Sequence, residues 1–166
     1  TIVYGKSAVL SGNLTRGGTP QAGQTVALSA QPIGAPAFTP LPPAMTDAAG
    51  NFSAPVKPTK RTTYRADFGG LLPTTVVLVK HKITLKGRRR SGKIYLNGTV
   101  GPKHVRRVIV IQRKRGSRWV KIARVKTTRR STFKVVRKAP AKRALFRAKI
   151  GADKEHLANT SKAARA

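Results

Sequence analysis

Hydrophobic residues alternate with polar ones along most of this chain, with a period of two rather than the 3.6 of a helix. Near the C-terminal end, for example, Phe146, Ala148 and Ile150 alternate with Arg147 and Lys149. Short alternating runs bounded by Gly, Pro and Asn are typical of β-strands with one face toward a core. The pattern therefore predicts an all-β protein whose cations occupy the solvent positions of the strands.

The predicted strands form two sets, one on each side of residue 80. The first set is Ile2–Tyr4, Ala8–Leu14, Thr25–Gln31, Gly50–Val56, Thr62–Phe68 and Thr74–Val79. The second set is Lys82–Lys86, Lys93–Val100, Val108–Lys114, Trp119–Val125, Thr132–Arg137 and Leu145–Ile150. About six short strands in each half, separated by turn residues, are typical of a β-sandwich. The sequence therefore predicts two tandem β-sandwich domains, residues 1–80 and residues 81–166.

The two halves also repeat the same local motifs in the same order. The glycine-bounded segment Gly5–Gly12 is echoed by Gly92–Gly98. GQTVALSAQ is matched by RRVIVIQRK, the turn TDAAGNF by TTRRSTF, and YRA by FRA. Four matches in register indicate an internal repeat.

Three segments depart from this simple strand pattern. The Pro-rich stretch Gln31–Met45 is predicted to be an extended loop or an edge strand, because each proline removes a donor from the sheet. The junction Thr74–Gly87 has no Gly/Ser-rich linker, which predicts little bending between the domains. Asp153–Ala166 is the best helical candidate, with Asp153 as the N-cap of an Ala- and Lys-rich run, while strand and loop stay open as alternatives.

These motifs resemble the tandem immunoglobulin-like or fibronectin-III-like domains of exported bacterial surface proteins, notably those of high-GC Gram-positive lineages. In the second half the resemblance is carried by Gly92–Gly98, Val108–Gln112, Trp119–Ala123, Thr127–Phe133 and Phe146–Ala148; the first half matches without the tryptophan. The resemblance implies two immunoglobulin-like β-sandwiches joined by a short, stiff junction, and an extracellular or cell-surface location. The chain begins at Thr1 rather than Met, which we interpret as removal of a signal segment or trimming of the chain.

Two features of the second half depart from the family pattern. Arg130 and Ser131 stand where the equivalent turn of the first half has Gly50. The final strand is represented only by Asn159–Ala166, whose sequence NTSKAARA is a poor sheet former. We therefore expect an incomplete sheet edge in the second domain.

Charge is the most unusual property of the chain. It has 35 Lys and Arg but only 4 Asp and Glu, a formal net charge of +31. Acids within the chain can neutralise only a few of these cations, so the field points outward and attracts nucleic acid, anionic cell-wall polymer or acidic lipid. Residues 1–80 carry a net charge of +5 and residues 81–166 carry +26. The second domain is therefore predicted to bind a polyanion.

The predicted contact residues lie in turns and on solvent faces of the second half. They are Arg88, Arg89, Arg90, Lys93, Lys103, Arg106, Arg107, Arg113, Lys114, Arg115, Arg118, Lys121, Arg124, Lys126, Arg129, Arg130, Arg137 and Lys138. Arginine suits phosphate, and no helix-turn-helix, zinc-finger or RNA-recognition signature is present. Trp119 and Phe133 fit a core pattern better than an exposed platform for base stacking. Contact with the backbone of nucleic acid, independent of its sequence, is therefore predicted.

The sequence offers little for catalysis or for a cofactor. There is no cysteine, which excludes disulfides, thiolate metal sites and a cysteine nucleophile. The acids are Asp47, Asp67, Asp153 and Glu155, and the histidines His81, His104 and His156 lie far apart along the chain. Only DKEHL, Asp153–Leu157, groups acid with imidazole, and we interpret it as a solvated loop or cap rather than a metal or acid–base site. We therefore predict a non-enzymatic protein without metal, cofactor, small-molecule substrate or membrane span.

Two other functions fit parts of the pattern. In the first, the chain is a subunit of an extracellular fibre or surface layer, assembled head to tail when the N-terminal TIVYG of one copy completes the weak C-terminal edge of another. An anionic polymer along such a fibre would offset its self-repulsion. In the second, the chain is an intracellular ribosomal or histone-like protein, which explains the basicity but not the repeated surface-module pattern.

Overall fold

The structure is a computed structural model that describes all residues, 1–166, and its only regular elements are β-strands. The predicted all-β class is confirmed. The chain divides into two compact units, Thr1–Val79 and Lys80–Ala166.

The first unit packs a two-stranded sheet against a four-stranded sheet. Its strands are β1 (Ile2–Val3), β2 (Ala8–Asn13), β3 (Thr15–Arg16), β4 (Thr19–Pro20), β5 (Thr25–Pro32), β6 (Thr39–Met45), β7 (Asn51–Val56), β8 (Thr62–Asp67) and β9 (Thr74–Val77), and β10 (Val79–Lys80) follows at the boundary. The larger sheet has the order β6-β5-β8-β9, while β2 pairs with β7, β3 with β4 and β1 with β10. Leu10 of the small sheet packs in one buried cluster with Ala30 and Tyr64 of the large sheet. This is the sandwich packing expected from alternating strands.

The Pro-rich stretch contributes an edge strand to this unit. β6 contains Pro40, Pro42 and Pro43, and it lies at one end of the four-stranded sheet with β5 as its only partner. Proline has no backbone N–H to donate, but an edge strand has no neighbour on its outer side, so no hydrogen-bonding partner is left unsatisfied there. The prediction of a loop or edge for this stretch is confirmed.

The second unit is a sandwich of two larger sheets. Its strands are β11 (Lys82–Ile83), β12 (Lys86–Arg90), β13 (Lys93–Gly101), β14 (Val108–Arg115), β15 (Arg118–Lys126), β16 (Thr132–Lys138), β17 (Leu145–Ile150), β18 (Asn159–Thr160) and β19 (Ala164–Arg165). In the first sheet, β13 pairs with β11 and β12 on one side and with β16 on the other. In the second sheet the strand order is β15-β14-β17, and both β18 and β19 pair with β17.

A single hydrophobic cluster joins these two sheets. Leu96 comes from the β13 sheet, and Ile109, Ile111 and Phe146 come from the β14 sheet; each is 0% exposed. Fully burying a side chain of this size contributes about 1.5–3 kcal/mol to stability. The alternating strands of the sequence thus place their apolar residues between the sheets and their cations outside.

A glycine–phenylalanine pair accounts for part of the repeated motif. Gly12 of β2 lies opposite Phe52 of β7, and Gly98 of β13 lies opposite Phe133 of β16. A β-carbon on either glycine would collide with the ring of the facing phenylalanine. Both units therefore require glycine at this position because the ring occupies the space of its missing side chain.

The turn before this phenylalanine also repeats. In the first unit Asp47 N–H donates to Asn51 O and Gly50 N–H donates to Asp47 O; in the second, Thr128 and Ser131 make the equivalent bonds. Gly50 has φ +76° and Ser131 has φ +57°. The second turn therefore forms without glycine, with serine in the left-handed region.

The structure selects the strand among the alternatives left open for the C-terminal segment, and it overturns the expectation for the cationic run Arg88–Arg90. Asp153–Ala166 contains no helix; its residues form β18 and β19, which cover part of the β17 edge, so the last segment pairs despite its weak propensity. The cationic run Arg88–Arg90 is not a turn between strands but belongs to edge strand β12, and the hairpin turns instead at Ser91 and Gly92, both with positive φ. The predicted strand Lys82–Lys86 accordingly splits into β11 and β12.

Candidate metal centre and cationic surfaces

The cations singled out in the sequence are almost all at the surface of the second unit. Of the eighteen, Arg107 and Arg113 are half-buried and the others are exposed. They do not gather on one face. They divide among the strands of the two sheets, the tip of the β14–β15 hairpin and two neighbouring loops.

The outer face of the β12–β13–β16 sheet carries cations directly opposite one another. Cross-strand pairing places Arg90, Lys93 and Lys138 in one row. The next row is Arg88, Tyr95 and Val136, and the third is Lys86, Asn97 and Lys134. We call the six cations of these rows, Lys86, Arg88, Arg90, Lys93, Lys134 and Lys138, the cationic sheet face. No acid of the chain lies on these strands.

Sequence reasoning missed two members of this face, Lys86 and Lys134. They flank the charged runs, and only the strand register shows that they line up with them. Arg89 and Arg137, by contrast, fall in the row of buried Ile94 and so belong to the opposite side of the same strands.

The outer face of the other sheet is also basic. Arg124, Val110 and Lys149 form one row, and Lys121, Gln112 and Arg147 form the next. Within that second row, Arg147 donates from its Nε to Gln112 Oε1 at 2.8 Å. Lys126 lies opposite Val108 at the end of β15.

Trp119 does not belong to the core, so that prediction is wrong. Its side chain is half-buried, and the Arg147 guanidinium lies 4.3 Å from the centre of its ring. A cation over an aromatic face is a favourable arrangement that also covers the ring. Phe133 is 2% exposed and belongs to the core, as predicted.

The remaining predicted cations lie at the ends of the strands. Arg113, Lys114, Arg115 and Arg118 flank the β14–β15 turn, Lys103, Arg106 and Arg107 lie in the β13–β14 connection, and Arg129 and Arg130 lie in the β15–β16 turn. Arg107 differs from the others in its contacts. Its guanidinium donates to the carbonyl oxygens of Gly151 and Ala152 and lies 3.6 Å from the Asp153 carboxylate.

All three histidines of the chain meet at that carboxylate. His81, His104, Asp153 and His156, which we call the histidine cluster, each offer one ligand atom, and these four atoms lie within 4.8 Å of one another. Asp153 Oδ2 is 3.3 Å from His81 Nε2 and 3.6 Å from His104 Nε2, and Oδ1 is 3.3 Å from His156 Nδ1. The interpretation of DKEHL as an isolated loop or cap is therefore incomplete, because two distant histidines join it.

Backbone hydrogen bonds hold the first histidine of the cluster. His81 lies between β10 and β11; its N–H donates to Leu157 O at 3.1 Å, and its carbonyl accepts from Asn159 Nδ2 at 2.6 Å. The start of the unit is thereby tied to the segment that carries Asp153 and His156.

The second histidine is held by the turn that precedes β16. The His104 N–H donates to Ser131 Oγ, and the His104 carbonyl accepts from both Ser131 Oγ and Thr127 Oγ1. The serine that stands in the left-handed region thus supplies a hydroxyl that glycine lacks. Its place in this turn is explained by the fixing of His104.

Asp153 forms a local turn of its own. Its Oδ1 accepts from the N–H groups of Glu155 at 3.0 Å and His156 at 2.7 Å, and its own N–H donates to His156 O at 2.9 Å. The carboxylate therefore caps a turn, as the sequence suggested, although no helix follows. It has a second oxygen left to face His81 and His104.

Burial controls the electrostatics of the cluster. The His81 side chain is 0% exposed, and desolvation lowers its pKa to about 4 against the attraction of Asp153. Desolvation likewise lowers the pKa of His104. Burial acts to raise the pKa of Asp153, but hydrogen bonds from His156 and Glu155 and the nearby histidines outweigh it and leave that pKa below its usual value. At neutral pH the cluster thus combines at least two neutral imidazoles with one carboxylate.

The structure contains no helix of the length and apolarity that a membrane crossing needs.

No family profile and no curated protein matches the chain. Among solved structures, a tetra-tandem repeat from the extending region of a large adhesion protein is similar at 14% identity and a TM-score of 0.41; the match covers 98% of this chain and 45% of that one. A DUF3823 family protein from Parabacteroides merdae ATCC 43184 is similar at 13% identity and a TM-score of 0.33, covering 96% and 98% of the two chains.

Proposed function

We propose that this chain is a non-enzymatic protein, exported to the cell surface, that binds the phosphate backbone of a nucleic acid or a similar polyanion through its second unit. The observation that carries the proposal is the cationic sheet face. There Arg90, Lys93 and Lys138 stand directly opposite one another on three strands, with no acid among them.

Such an arrangement works against folding. Like charges directly opposite in a sheet are destabilising, and alternating Lys with Glu would give the same solubility without the repulsion. A polymer with closely spaced phosphates removes the repulsion and releases its own counterions. The rows are therefore explained by an anionic ligand better than by solubility alone.

The geometry of the face favours backbone contact without base readout. Neighbouring strands are about 4.8 Å apart and alternate residues along a strand about 6.8 Å apart, so the six cations form a grid rather than a single protruding element. Tyr95 lies within this grid, half-buried, with Lys134 Nζ 5.8 Å from its ring centre. All six cations come from three paired strands of one sheet, and contact with phosphate carries no sequence information directly.

No observation favours the alternative of a fibre built by strand addition. The N-terminal strand β1 pairs with β10 of its own chain, and the Ile2 N–H donates to Leu78 O at 2.9 Å. The β17 edge that a neighbour would complete already carries β18 and β19. Strand addition would require these segments to separate first.

The test is an equilibrium titration of the full chain into fluorescently labelled duplex DNA, followed by anisotropy over a series of salt concentrations. We expect binding at low salt, independent of base sequence, with affinity that falls steeply as salt rises. Inorganic polyphosphate should compete if phosphate is the recognised chemistry. Absence of binding to both polymers at about 50 mM salt, where contacts of this kind are strong, would refute the proposal.

Two charge-matched triple variants locate the binding face. Arg88→Gln, Arg90→Gln and Lys93→Gln alter the cationic sheet face, while Lys121→Gln, Arg124→Gln and Lys126→Gln remove three charges from the opposite sheet. Loss of three phosphate contacts should reduce the log–log salt slope by about 2.7. We expect this loss for the first variant only. Equal losses in both variants would show that net charge, rather than this face, determines binding.

A further inference from the structure

We propose that His81, His104, Asp153 and His156 form a structural binding site for a first-row divalent transition metal, with Zn²⁺ as the ion that the ligand set fits best. The inference is independent of polyanion binding. It begins with the composition of the cluster: the chain has only three histidines and four acids, and all the histidines and one acid converge at one point.

The convergence joins segments that are distant in sequence. His81 precedes β11, His104 lies in the β13–β14 connection, and Asp153 and His156 follow β17. Separate backbone and side-chain hydrogen bonds hold each of them in place. A chance grouping of surface histidines would not require such support from three segments.

The distances fit a four-coordinate ion. Ligands about 2.0–2.1 Å from a tetrahedral zinc lie about 3.3–3.4 Å from one another. Asp153 Oδ2 lies 3.3 Å from His81 Nε2 and 3.6 Å from His104 Nε2, and His156 Nδ1 lies 3.3 Å from the other oxygen, Oδ1. Since all four ligand atoms lie within 4.8 Å, small rotations of the imidazoles suffice to close the site around one ion.

Two histidines of the cluster have buried ring nitrogens without a hydrogen-bond partner. The His81 side chain is 0% exposed, yet neither of its ring nitrogens has a hydrogen-bond partner, and His104 Nε2 is also buried without one. Leaving a buried polar atom without a partner is unfavourable. A metal would satisfy Nε2 of both residues, and these are the atoms that face Asp153.

The donor set selects the class of ion. Three imidazoles and one carboxylate provide nitrogen-rich coordination, which suits zinc, copper, iron or nickel, whereas calcium and magnesium prefer oxygen throughout. Four protein ligands and a site that is largely buried are typical of structural zinc. Arg107, 3.6 Å from Asp153, serves as a positioning residue that holds the carboxylate and the neighbouring carbonyls.

The expected effect of the metal is to attach the C-terminal segment to the rest of the unit. β18 and β19 have two residues each and pair with β17 over two residues apiece, and the Asn159 side chain adds one hydrogen bond to the His81 carbonyl. An ion bound to Asp153 and His156 on one side and to His81 and His104 on the other would crosslink that segment to two others. Metal binding in this position adds to folding free energy.

The test uses the full chain, stripped of metal with a chelator and titrated with Zn²⁺ in competition with a chromophoric chelator. We expect one ion per chain, an upward shift of the thermal unfolding midpoint by several degrees, and no such shift with Mg²⁺ or Ca²⁺. Substitution with Co²⁺ should produce the intense visible absorption of tetrahedral cobalt. Failure of both metals to bind, or to change the midpoint, would overturn the proposal.

Variants identify the ligands. His104→Asn and Asp153→Asn change partly exposed members of the cluster and should abolish the cobalt absorption and the zinc-dependent shift. Asp67→Asn, which removes an exposed carboxylate from the first unit, is the charge-matched control and should retain both. Retention of tight binding in His104→Asn and Asp153→Asn would refute the assignment.

X-ray absorption at the zinc edge of the unaltered chain decides the question even where a variant fails to fold. It should show three imidazole nitrogens and one oxygen in the first shell, at about 2.0–2.2 Å. A first shell of water or other oxygens without imidazole would mean that zinc binds elsewhere, and would overturn the proposal.

Discussion

Replacing Lys93 by glutamine should make the free protein more stable and its complex with a polyanion weaker. Lys93 is the middle residue of the row that contains Arg90 and Lys138, so one substitution removes two repulsive interactions between neighbouring charges. Glutamine preserves most of the length of the side chain while removing the charge. Stability and affinity should therefore change in opposite directions.

The magnitude follows from the strand spacing. Two unit charges about 5 Å apart in water repel by about 0.8 kcal/mol, and by about 0.4 kcal/mol if the flexible ends spread to 10 Å. For two neighbours the expected gain on substitution is about 0.8–1.6 kcal/mol at low ionic strength. At 1 M salt, where the Debye length is about 3 Å, most of this gain should vanish.

Urea denaturation of the full chain, followed by tryptophan fluorescence at low and high salt, measures this difference. Lys82→Gln is the matched control, because Lys82 lies on an exposed strand position opposite Gly101 rather than opposite another cation. We expect a gain for Lys93→Gln at low salt that clearly exceeds the gain for Lys82→Gln. Equal effects, or a gain that persists at high salt, would show that the row is not under electrostatic strain.

Three further predictions concern the histidine cluster. In the metal-free protein, the folded pKa of His81 near 4 lies below its ordinary 6.5, so its contribution to stability is complete above pH 6.5 and is lost as the pH falls toward 4. The free energy of unfolding should fall by about 3 kcal/mol, since each pKa unit corresponds to about 1.4 kcal/mol. Urea denaturation midpoints that do not fall between pH 6.5 and pH 4 would contradict this prediction. Ser131→Ala should be less stable than Ser131→Gly by about 1 kcal/mol. Both variants lose the hydrogen bonds to His104, but only alanine keeps the energetic cost of a positive φ. Thermal unfolding of the two variants gives the comparison, and the reverse order of stability would refute the prediction. The affinity for zinc should rise with ionic strength while the affinity for DNA falls, because salt screens the positive field of the unit. Titrations with each ligand in the same series of buffers give the comparison. If both affinities changed in the same direction, the metal site would not lie within this positive field.

The strands were predictable because alternation and turn residues are local signals. Leu145–Ile150 was placed with its observed ends, and most other strands differ by only one or two residues. These local signals did not predict the strands that form only because a neighbouring strand offers hydrogen-bonding partners. Arg88–Arg90 reads as a solvated turn, yet it forms an edge strand because β13 offers hydrogen-bonding partners along its whole length. Asn159–Ala166 likewise pairs because the β17 edge is available, despite a sequence with little β propensity.

The histidine cluster could not be predicted in the same way. Its members are separated by up to 75 residues, and only the sandwich topology brings them to one end of the unit. One signal was present in the sequence, namely that DKEHL combines an acid and a histidine at a spacing of three in a chain with very few of either. The repeat offered another: serine at the position of Gly50 indicated that this turn in the second unit has an additional role, and that role is to fix His104.

The same electrostatic field acts in opposite directions on the two proposed ligands. The unit Lys80–Ala166 contains 29 of the 35 cations and 2 of the 4 acids, so a divalent metal enters against a strong repulsive potential. A polyanion on the sheet face neutralises part of that potential and thereby favours the metal. Because linkage is reciprocal, the metal must favour the polyanion by the same factor. The two sites therefore need no direct contact to influence each other, since both respond to the charge of the unit that contains them.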